Sequence, residues 1–241
     1  MSTKARTESN AWIRDKAAKL LGRVLSIGSR DDSDGQGDHY RSYFCRADSY
    51  TTSEPTTDFA CDLVLDVQSM PELDSDSWDV VFCSGVLEHV PSPEEAVSEM
   101  SRVLKFGGVL LIGVPFRQAI HMPPNDFWRF TEFGLRTILR RHSLDILELV
   151  AIQEDIKDFP VAYWALAKKR SEGDRSGQLV NAFYSADNLK DKEHWVEKVR
   201  SFHPDLSRLM TQPEIGRVRT GSTPRLPSRC RIGFLEKEFL I

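Results

Sequence analysis

The sequence predicts an α/β protein built on a doubly wound, mostly parallel sheet. Residues 23–30, 78–90 and 102–115 each contain an apolar run of strand length that is rich in Val, Ile and Leu and ends at Gly, Ser or Pro. Strands that are buried on both faces of a parallel sheet have this pattern. Ligands of such sheets bind beyond the carboxyl ends of the strands, so we look for function in the residues that follow these runs.

The elements before the second run are less regular. Asn10 is predicted to cap a helix whose apolar residues run from Trp12 to Leu21, with Gly22 ending it. Residues 29–42 are rich in Asp, Ser and Gly and predict a loop. A second strand is expected to end within residues 51–55, and residues 62–67 predict a third.

The segment after the second run has a helix start with a clear mechanism. Ser92 is predicted to be the N-cap, Pro93 fits the first helical position, and Glu95 can complete a capping box. The pair Gly107–Gly108 is then expected to close this helix and release the next strand.

The chain continues with elements that complete a sheet. Residues 115–130 predict a loop, residues 131–142 a helix, and residues 144–152 and 161–169 two final strands. We therefore expect one domain over residues 1–170. Residues 171–241 follow a polar stretch and predict a C-terminal extension that serves as a lid or as the arm of a homodimer, because its aromatic residues should dock somewhere.

Composition narrows the class of protein. The chain has 241 residues, 40% of them hydrophobic, and a net charge of −4, so no overall basic field attracts nucleic acid. Its four cysteines are scattered and predict neither a disulfide framework nor a metal site. The polar N-terminus and the absence of a long apolar run lead us to expect a cytoplasmic protein without a membrane anchor.

Two further motifs identify a family. The turn Leu87-Glu88-His89 follows the second run, and Arg102-Val103-Leu104-Lys105-Phe106-Gly107-Gly108 precedes the third. With the first run, this order over residues 10–169 resembles the class I S-adenosylmethionine (SAM) dependent methyltransferases, of the methyltransferase type 11-like group. The resemblance implies a seven-stranded Rossmann-like sheet ending in an antiparallel hairpin, SAM as cofactor and S-adenosylhomocysteine as product.

The first strand end should form the cofactor loop, Gly28-Ser29-Arg30. Glycine there lets the backbone approach the cofactor closely. The family usually has an acid two residues before this glycine and a second glycine two residues after it, where this chain has Ser26 and Arg30. Either these are tolerated variants, or the amino acid end of SAM is held by backbone groups or by Asp31 or Asp32.

The other strand ends supply the remaining cofactor candidates. Glu54 has a spacing from Gly28 that suits a carboxylate gripping the ribose hydroxyls, although it could be a surface acid. The resemblance implies that Asp66 and Val67 meet the adenine, and that Ser84 and Gly85 lie beneath the sulfonium.

The loop after the fifth strand supplies the acceptor candidates. His121 is the best candidate general base, and His89 is a second candidate that could equally be structural. Asp126, Trp128 and Arg129 are candidate substrate contacts. In a structural interpretation, Asp126 pairs with Arg129, Phe127 and Phe130 enter the core, and Thr131 caps the following helix.

Three functions remain open on the sequence. The first is a methyltransferase acting on oxygen or nitrogen of a small-molecule acceptor such as a sugar, nucleoside or secondary metabolite. The second is a methyltransferase of RNA, DNA or protein, and the third is a non-catalytic partner protein with the SAM-binding fold. No metal requirement is expected, because no ligand cluster is visible in the sequence.

Overall fold

The structure is a computed structural model that describes residues 3–170, and its centre is a seven-stranded sheet. The sheet order is β3-β2-β1-β4-β5-β7-β6. All neighbouring strands are parallel except that β7 runs antiparallel to both β5 and β6. The strands are β1 Gly22–Ile27, β2 Ala47–Glu54, β3 Leu63–Val64, β4 Trp78–Ser84, β5 Leu104–Pro115, β6 Leu144–Ile152 and β7 Ala162–Lys169. The predicted fold class and the antiparallel hairpin at the sheet edge are confirmed.

The strand order reverses between β1 and β4. The chain moves outward from β1 to β2 and β3, then returns to place β4 on the other side of β1, with Ile27 beside Cys83. In open α/β sheets a crevice forms outside the strand ends at this reversal, and ligands bind there. The fold thus directs attention to the residues just after Ile27 and Ser84.

Three helices cover the sheet: α1 Thr3–Ala17, α2 Pro93–Val103 and α3 Glu132–Arg141. Helices α2 and α3 contribute to one hydrophobic core, to which Val97, Met100 and Leu135 belong. Helix α1 contributes Ile13 and Ala17 to a separate core. Because β4 and β5 supply residues to both cores, their central positions, 80–83 and 109–112, are all apolar, as the sequence pattern predicted.

The predicted start of α1 is wrong. The helix begins at Thr3 and ends at Ala17, so Asn10 lies in its middle. Asn10 is 4% exposed, and its side-chain Nδ2 donates hydrogen bonds to the Asp34 carbonyl oxygen at 3.0 Å and to Gln36 Oε1 at 2.8 Å. Asparagine resembles a cap in the sequence because its amide bonds backbone groups, but here those groups belong to a distant loop.

Two details of α2 and β5 also differ from prediction. Ser92 stands at the N-cap with Pro93 after it, but its side chain makes no capping hydrogen bond within the described chain. Its backbone N–H instead donates to Gln68 Oε1 at 2.9 Å. The helix ends at Val103, and Gly107–Gly108 lie inside β5 rather than closing α2.

The connection from β1 to β2 is a loop, as predicted, and it has a polar interior. Asp34 is 1% exposed and accepts hydrogen bonds from the Tyr43 hydroxyl and from two backbone N–H groups, those of Gln36 and Asp38. Burial, reinforced by the bond to Asp34, raises the pKa of Tyr43 to about 12. This network fixes the loop where many α/β folds place a helix, because its buried polar groups are satisfied.

The remaining predicted elements are close to those observed. Thr131 caps α3, its Oγ1 accepting from the Gly134 N–H at 3.0 Å. The third strand is shorter than predicted, so Asp66 lies two residues beyond its end. Among the helices of residues 3–170, none combines the length and apolar character needed to cross a bilayer. The predicted C-terminal extension, residues 171–241, lies outside the described residues.

Candidate active site at the strand ends

Gly28 stands at the reversal of strand order and has a conformation that favours glycine. Its φ is +63°, and a Cβ there would lie 2.5 Å from Val86 Cγ2. A side chain would therefore be strained by its backbone and would collide with the turn that follows β4. Glycine lets the ends of β1 and β4 approach each other, whereas the close approach to a cofactor that the sequence predicts here stays a prediction.

Ser29, Arg30 and Glu54 meet beside Gly28. The Ser29 hydroxyl donates to the Ser53 carbonyl oxygen at 3.1 Å, and the Arg30 N–H donates to a Glu54 carboxylate oxygen. Glu54 is 6% exposed although it is ionisable. Arg30 has a φ of 48°, a left-handed conformation that glycine adopts more readily than other residues.

Asp66 and Val67 adjoin this group through the backbone, because the Leu65 N–H donates to the Glu54 carbonyl oxygen at 2.8 Å. Val67 is buried, whereas Asp66 is exposed. Asp66 Oδ1 accepts from the Gln68 N–H at 2.9 Å. The end of β3 thus presents a carboxylate to solvent at the same edge of the sheet as Glu54.

Ser84 and Gly85 occupy the end of β4. Gly85 has a φ of 64°, and its N–H donates to the Gly113 carbonyl oxygen at 3.0 Å. The Ser84 side chain makes a hydrogen bond with the Tyr40 hydroxyl. Both residues therefore lie on the β4 side of the crevice that Gly28 borders from β1.

The alternative role of Asp32 in holding SAM does not fit its surroundings. Asp32 is 4% exposed; its Oδ1 accepts from the Tyr50 hydroxyl at 2.8 Å, and its Oδ2 accepts from the backbone N–H and the side-chain Nε of Arg41, both at 3.1 Å. Its carboxylate is engaged by the chain's own groups. Asp31, by contrast, is exposed at the rim of the site.

The acceptor loop, residues 116–131, is braced by Asp126. This carboxylate accepts from Arg129 at 2.6 and 2.8 Å and from the His121 N–H at 2.7 Å. The hydrogen bonds from Arg129 hold the pKa of Asp126 well below its usual range. The structural interpretation of this pair is thus correct in geometry, and both groups are occupied with each other.

The aromatic residues of the acceptor loop divide between core and surface. Phe130 is 8% exposed and belongs to a core cluster, as predicted. Phe127 is 46% exposed, so its predicted core position is wrong; its backbone N–H donates to the Glu88 carbonyl oxygen at 2.7 Å. Trp128 Nε1 donates to the Val90 carbonyl oxygen at 2.9 Å, and its ring lines a shallow groove between α2 and α3.

Glu88 is a feature that the sequence reasoning missed. It lies in the 3-10 turn Leu87–His89, is 3% exposed, and burial raises the pKa of its carboxyl to about 7. The rings of its neighbour His89 and of His121 are in edge-to-face contact with centroids 4.7 Å apart. The two candidate bases are therefore adjacent, and a buried carboxyl lies beside them. The signal in the sequence that could have identified Glu88 is an acidic residue directly after an apolar residue, Leu87, in the turn that follows β4.

Comparison with known proteins agrees with this geometry. The family model described as a methyltransferase domain matches residues 45–112. This stretch includes β2, β3, β4, α2 and most of β5, with Glu54, Asp66, Ser84 and Gly85. Over these residues the chain matches a methyltransferase domain, which agrees with the resemblance of its motifs to the class I SAM-dependent methyltransferases.

Solved structures share the fold of this chain. An N-methyltransferase, NodS, from Bradyrhizobium japonicum in complex with S-adenosylhomocysteine is 15% identical with a TM-score of 0.54, covering 69% of this chain and 88% of its own. A Burkholderia thailandensis 1,6-didemethyltoxoflavin-N1-methyltransferase is 17% identical with a TM-score of 0.50, covering 69% and 79%. The cyclase SpnF is 16% identical with a TM-score of 0.52, covering 68% and 82%. No curated protein matches the sequence.

The residues at the strand ends fit SAM, the cofactor of this domain class. Gly28 keeps the crevice between β1 and β4 free of a side chain, Glu54 brings a largely buried carboxylate to its edge, and Asp66 presents a second. Carboxylates suit the ribose hydroxyls and the adenine amino group, because charge-assisted hydrogen bonds are strong. When bound, SAM supplies an electrophilic methyl group on its sulfonium.

Proposed function

We propose that the protein transfers a methyl group from SAM to oxygen or nitrogen of a small-molecule acceptor. The observation that carries the proposal is the exposure of four large apolar side chains in the loops that follow β2 and β5, which we call the mouth of the site: Ile120 is 80% exposed, Met122 53%, Phe127 46% and Phe59 37%. Apolar side chains exposed beside a crevice are typical of a ligand-binding surface.

The mouth is joined to the cofactor edge by direct contacts. Arg30 Nη1 lies 3.9 Å from Met122 Sδ, and the Arg30 guanidinium lies over the Phe59 ring, 5.1 Å from its centroid. At the other end, the Phe127 N–H bonds the Glu88 carbonyl oxygen. The acceptor loop therefore extends from the end of β1 to the turn after β4, so an acceptor held by it would adjoin the methyl-donor site.

The charges of the acceptor loop favour a small acceptor over a polyanion. Arg129 is paired with Asp126, and Arg117 is paired with Asp155 at 2.5 Å and with Glu154 at 3.4 Å. Arginines that bind nucleic acid phosphates must be available to them. Two solved structures of the same fold add support, since both are N-methyltransferases and one contains bound 1,6-didemethyltoxoflavin.

In this proposal the chain's own residues mainly align the two reactants. Glu54 and Asp66 hold the ribose and adenine, and the backbone of Gly28 and Gly85 borders the reacting end. His89 and His121 are the groups at the mouth that can contact the acceptor. Methyl transfer depends mostly on such alignment, because the sulfonium is already a good electrophile.

Calorimetric titration with S-adenosylhomocysteine tests the cofactor site. We expect saturable binding to the full-length protein, weakened by about 1–3 kcal/mol in Glu54→Gln, the usual cost of losing a hydrogen bond to a charged group. Glu72→Gln, an exposed acid away from the site, is the matched control and should bind as the wild type does. No binding at millimolar ligand would contradict the enzyme and would favour the non-catalytic partner with this fold.

The acceptor class is tested with SAM that carries a labelled methyl group. Cell extract is incubated with the protein and separated into small molecules, nucleic acid and protein. We expect label in the small-molecule fraction, and none above background with Glu54→Gln at limiting SAM. Label confined to RNA, DNA or protein would establish the macromolecular alternative, and cofactor binding without label in any fraction would favour the non-catalytic one.

A further inference from the structure

Three side chains at the mouth of the site bring together groups that bind metal ions. Glu88 and His89 lie in the turn after β4, and His121 lies in the loop after β5. One ligand atom from each lies within 4.8 Å of the others. The strands β4 and β5 are neighbours in the sheet, so the loops that follow them meet at the same edge.

Both histidines are oriented by hydrogen bonds on the same ring atom. His89 Nδ1 lies 2.5 Å from the Asn125 carbonyl oxygen. His121 Nδ1 lies 3.2 Å from the Ala119 carbonyl oxygen and 3.4 Å from Asp126 Oδ2. Carbonyl and carboxylate oxygens only accept, so in the neutral imidazole each Nδ1 carries the proton and each Nε2 has the lone pair that can bind a metal. Metal-binding histidines are commonly fixed in this way by an oxygen acceptor on their second ring nitrogen.

Glu88 is the second, independent indication of a ligand. Its Oε1 lies 3.9 Å from His89 Nε2, and its Oε2 is buried with no hydrogen-bond partner among residues 3–170. A buried carboxylate oxygen without a partner is costly, and it is normally paired, hydrogen-bonded or bound to a metal.

We propose that Glu88, His89 and His121 bind a first-row divalent cation at the mouth of the cofactor site. One carboxylate and two imidazoles are a ligand set used for Zn²⁺ and for other first-row metals, and they leave coordination positions open. Metal–ligand distances of about 2.0–2.2 Å require the three ligand atoms to move closer together by small side-chain rotations.

The cation would act on the acceptor, an inference that rests on the proposed function. Glu88 Oε1 lies 3.3 Å from where a Cβ of Gly85 would be, so the cluster adjoins the end of β4. An acceptor hydroxyl bound at an open position would be oriented there and would lose its proton to solvent more readily, because a cation lowers its pKa. The site thus favours an oxygen acceptor, and it gives His121 the role of a ligand rather than a base.

Calorimetric titration with Zn²⁺, after removal of metals with a chelator, tests the site on the full-length protein without SAM. We expect one saturable site whose affinity falls at least about 10–100-fold in Glu88→Gln and in His121→Gln, since even residues that only support metal ligands cost this much. His39→Gln, an exposed histidine of the β1–β2 loop, is the matched control and should keep wild-type affinity.

Thermal melting in chelator separates loss of ligands from loss of fold. If Glu88→Gln unfolds at a lower temperature than the wild type, the Zn²⁺ affinity of His121→Gln becomes the deciding measurement. The His121 side chain is 30% exposed, so its replacement should not unfold the protein. Absence of a saturable Zn²⁺ site, or unchanged affinity in His121→Gln, would overturn the metal site. If the protein binds S-adenosylhomocysteine but not Zn²⁺, the metal site is wrong and the proposed function stands. If it binds Zn²⁺ but not S-adenosylhomocysteine, the proposed function is wrong and the metal site stands.

Discussion

At the scale of single residues, the site depends on backbone conformations that most side chains disfavour. Gly28, Arg30 and Asp32 all have positive φ within one short loop. Gly28 is the position where this conformation coincides with a close contact, to Val86. The loop holds its shape because Glu54 accepts from the Arg30 N–H and because Asp32 is fixed by its own hydrogen bonds.

Substitution of Gly28 by alanine should destabilise the protein and weaken cofactor binding. The new Cβ would add about 1–2 kcal/mol of backbone strain and collide with Val86 Cγ2. The free energy of unfolding in urea measures the first effect, and S-adenosylhomocysteine affinity measures the second.

The double variant Gly28→Ala/Val86→Ala separates strain from collision. In the Val86→Ala background there is no valine methyl group to collide with, so Gly28→Ala should lower the free energy of unfolding by less than it does in the wild type. The loss that remains measures the backbone strain. Additive effects in this double-mutant cycle would contradict the proposed contact.

At the scale of elements, helix starts show how similar sequence signals produce different structures. Thr131 and Ser92 both precede a helix and both resemble N-caps. Only the Thr131 side chain makes the capping bond, to the Gly134 N–H, whereas Ser92 uses its backbone N–H to bind Gln68.

The two caps should therefore respond differently to alanine. Thr131→Ala should lower the free energy of unfolding by about 1 kcal/mol, the usual cost of losing an N-cap side chain. Ser92→Ala, its matched control, should change stability by less than about 0.5 kcal/mol, as for most surface substitutions. Urea unfolding at neutral pH measures both, and equal losses would contradict the difference in capping.

At the scale of the whole molecule, the described sheet is complete at its C-terminal end. Lys169 Nζ bonds Asp76 Oδ1 and the Leu104 carbonyl oxygen, both at 2.7 Å. The Arg170 N–H donates to the Ser143 carbonyl oxygen at 2.9 Å. These contacts connect the last strand to β5 and to the chain between α3 and β6.

Truncation after Arg170 should accordingly leave a folded protein that binds S-adenosylhomocysteine. A cooperative thermal transition and calorimetry measure this, and loss of both would show that residues 171–241 complete the core. If the extension is a lid, the truncated protein should lose turnover with no change in oligomeric state by light scattering. A dimer arm predicts a shift from dimer to monomer, and a fully active truncated monomer would contradict both roles.

The sequence by itself determined the sheet and the order of its elements. Runs such as 80–83 and 109–112 are apolar at every position, because these parts of the strands are buried on both faces of the sheet. The same local chemistry identified Gly28, Glu54 and Asp66, because residues that end parallel strands must share one edge of the sheet. Thr131 was predictable as a cap because its hydrogen bond is local: the Gly134 N–H that it accepts from is only three residues further along the chain.

The tertiary structure alone showed which residues take their positions from contacts with distant parts of the chain instead of from local sequence patterns. Asn10 bonds a loop instead of beginning a helix, Phe127 lies at the surface, and Gly107–Gly108 continue a strand. Glu88, His89 and His121 meet because β4 and β5 lie side by side, a proximity that no spacing in the sequence encodes. Local patterns fix what each segment buries, whereas the strand order fixes which loops meet, and therefore which side chains form the site.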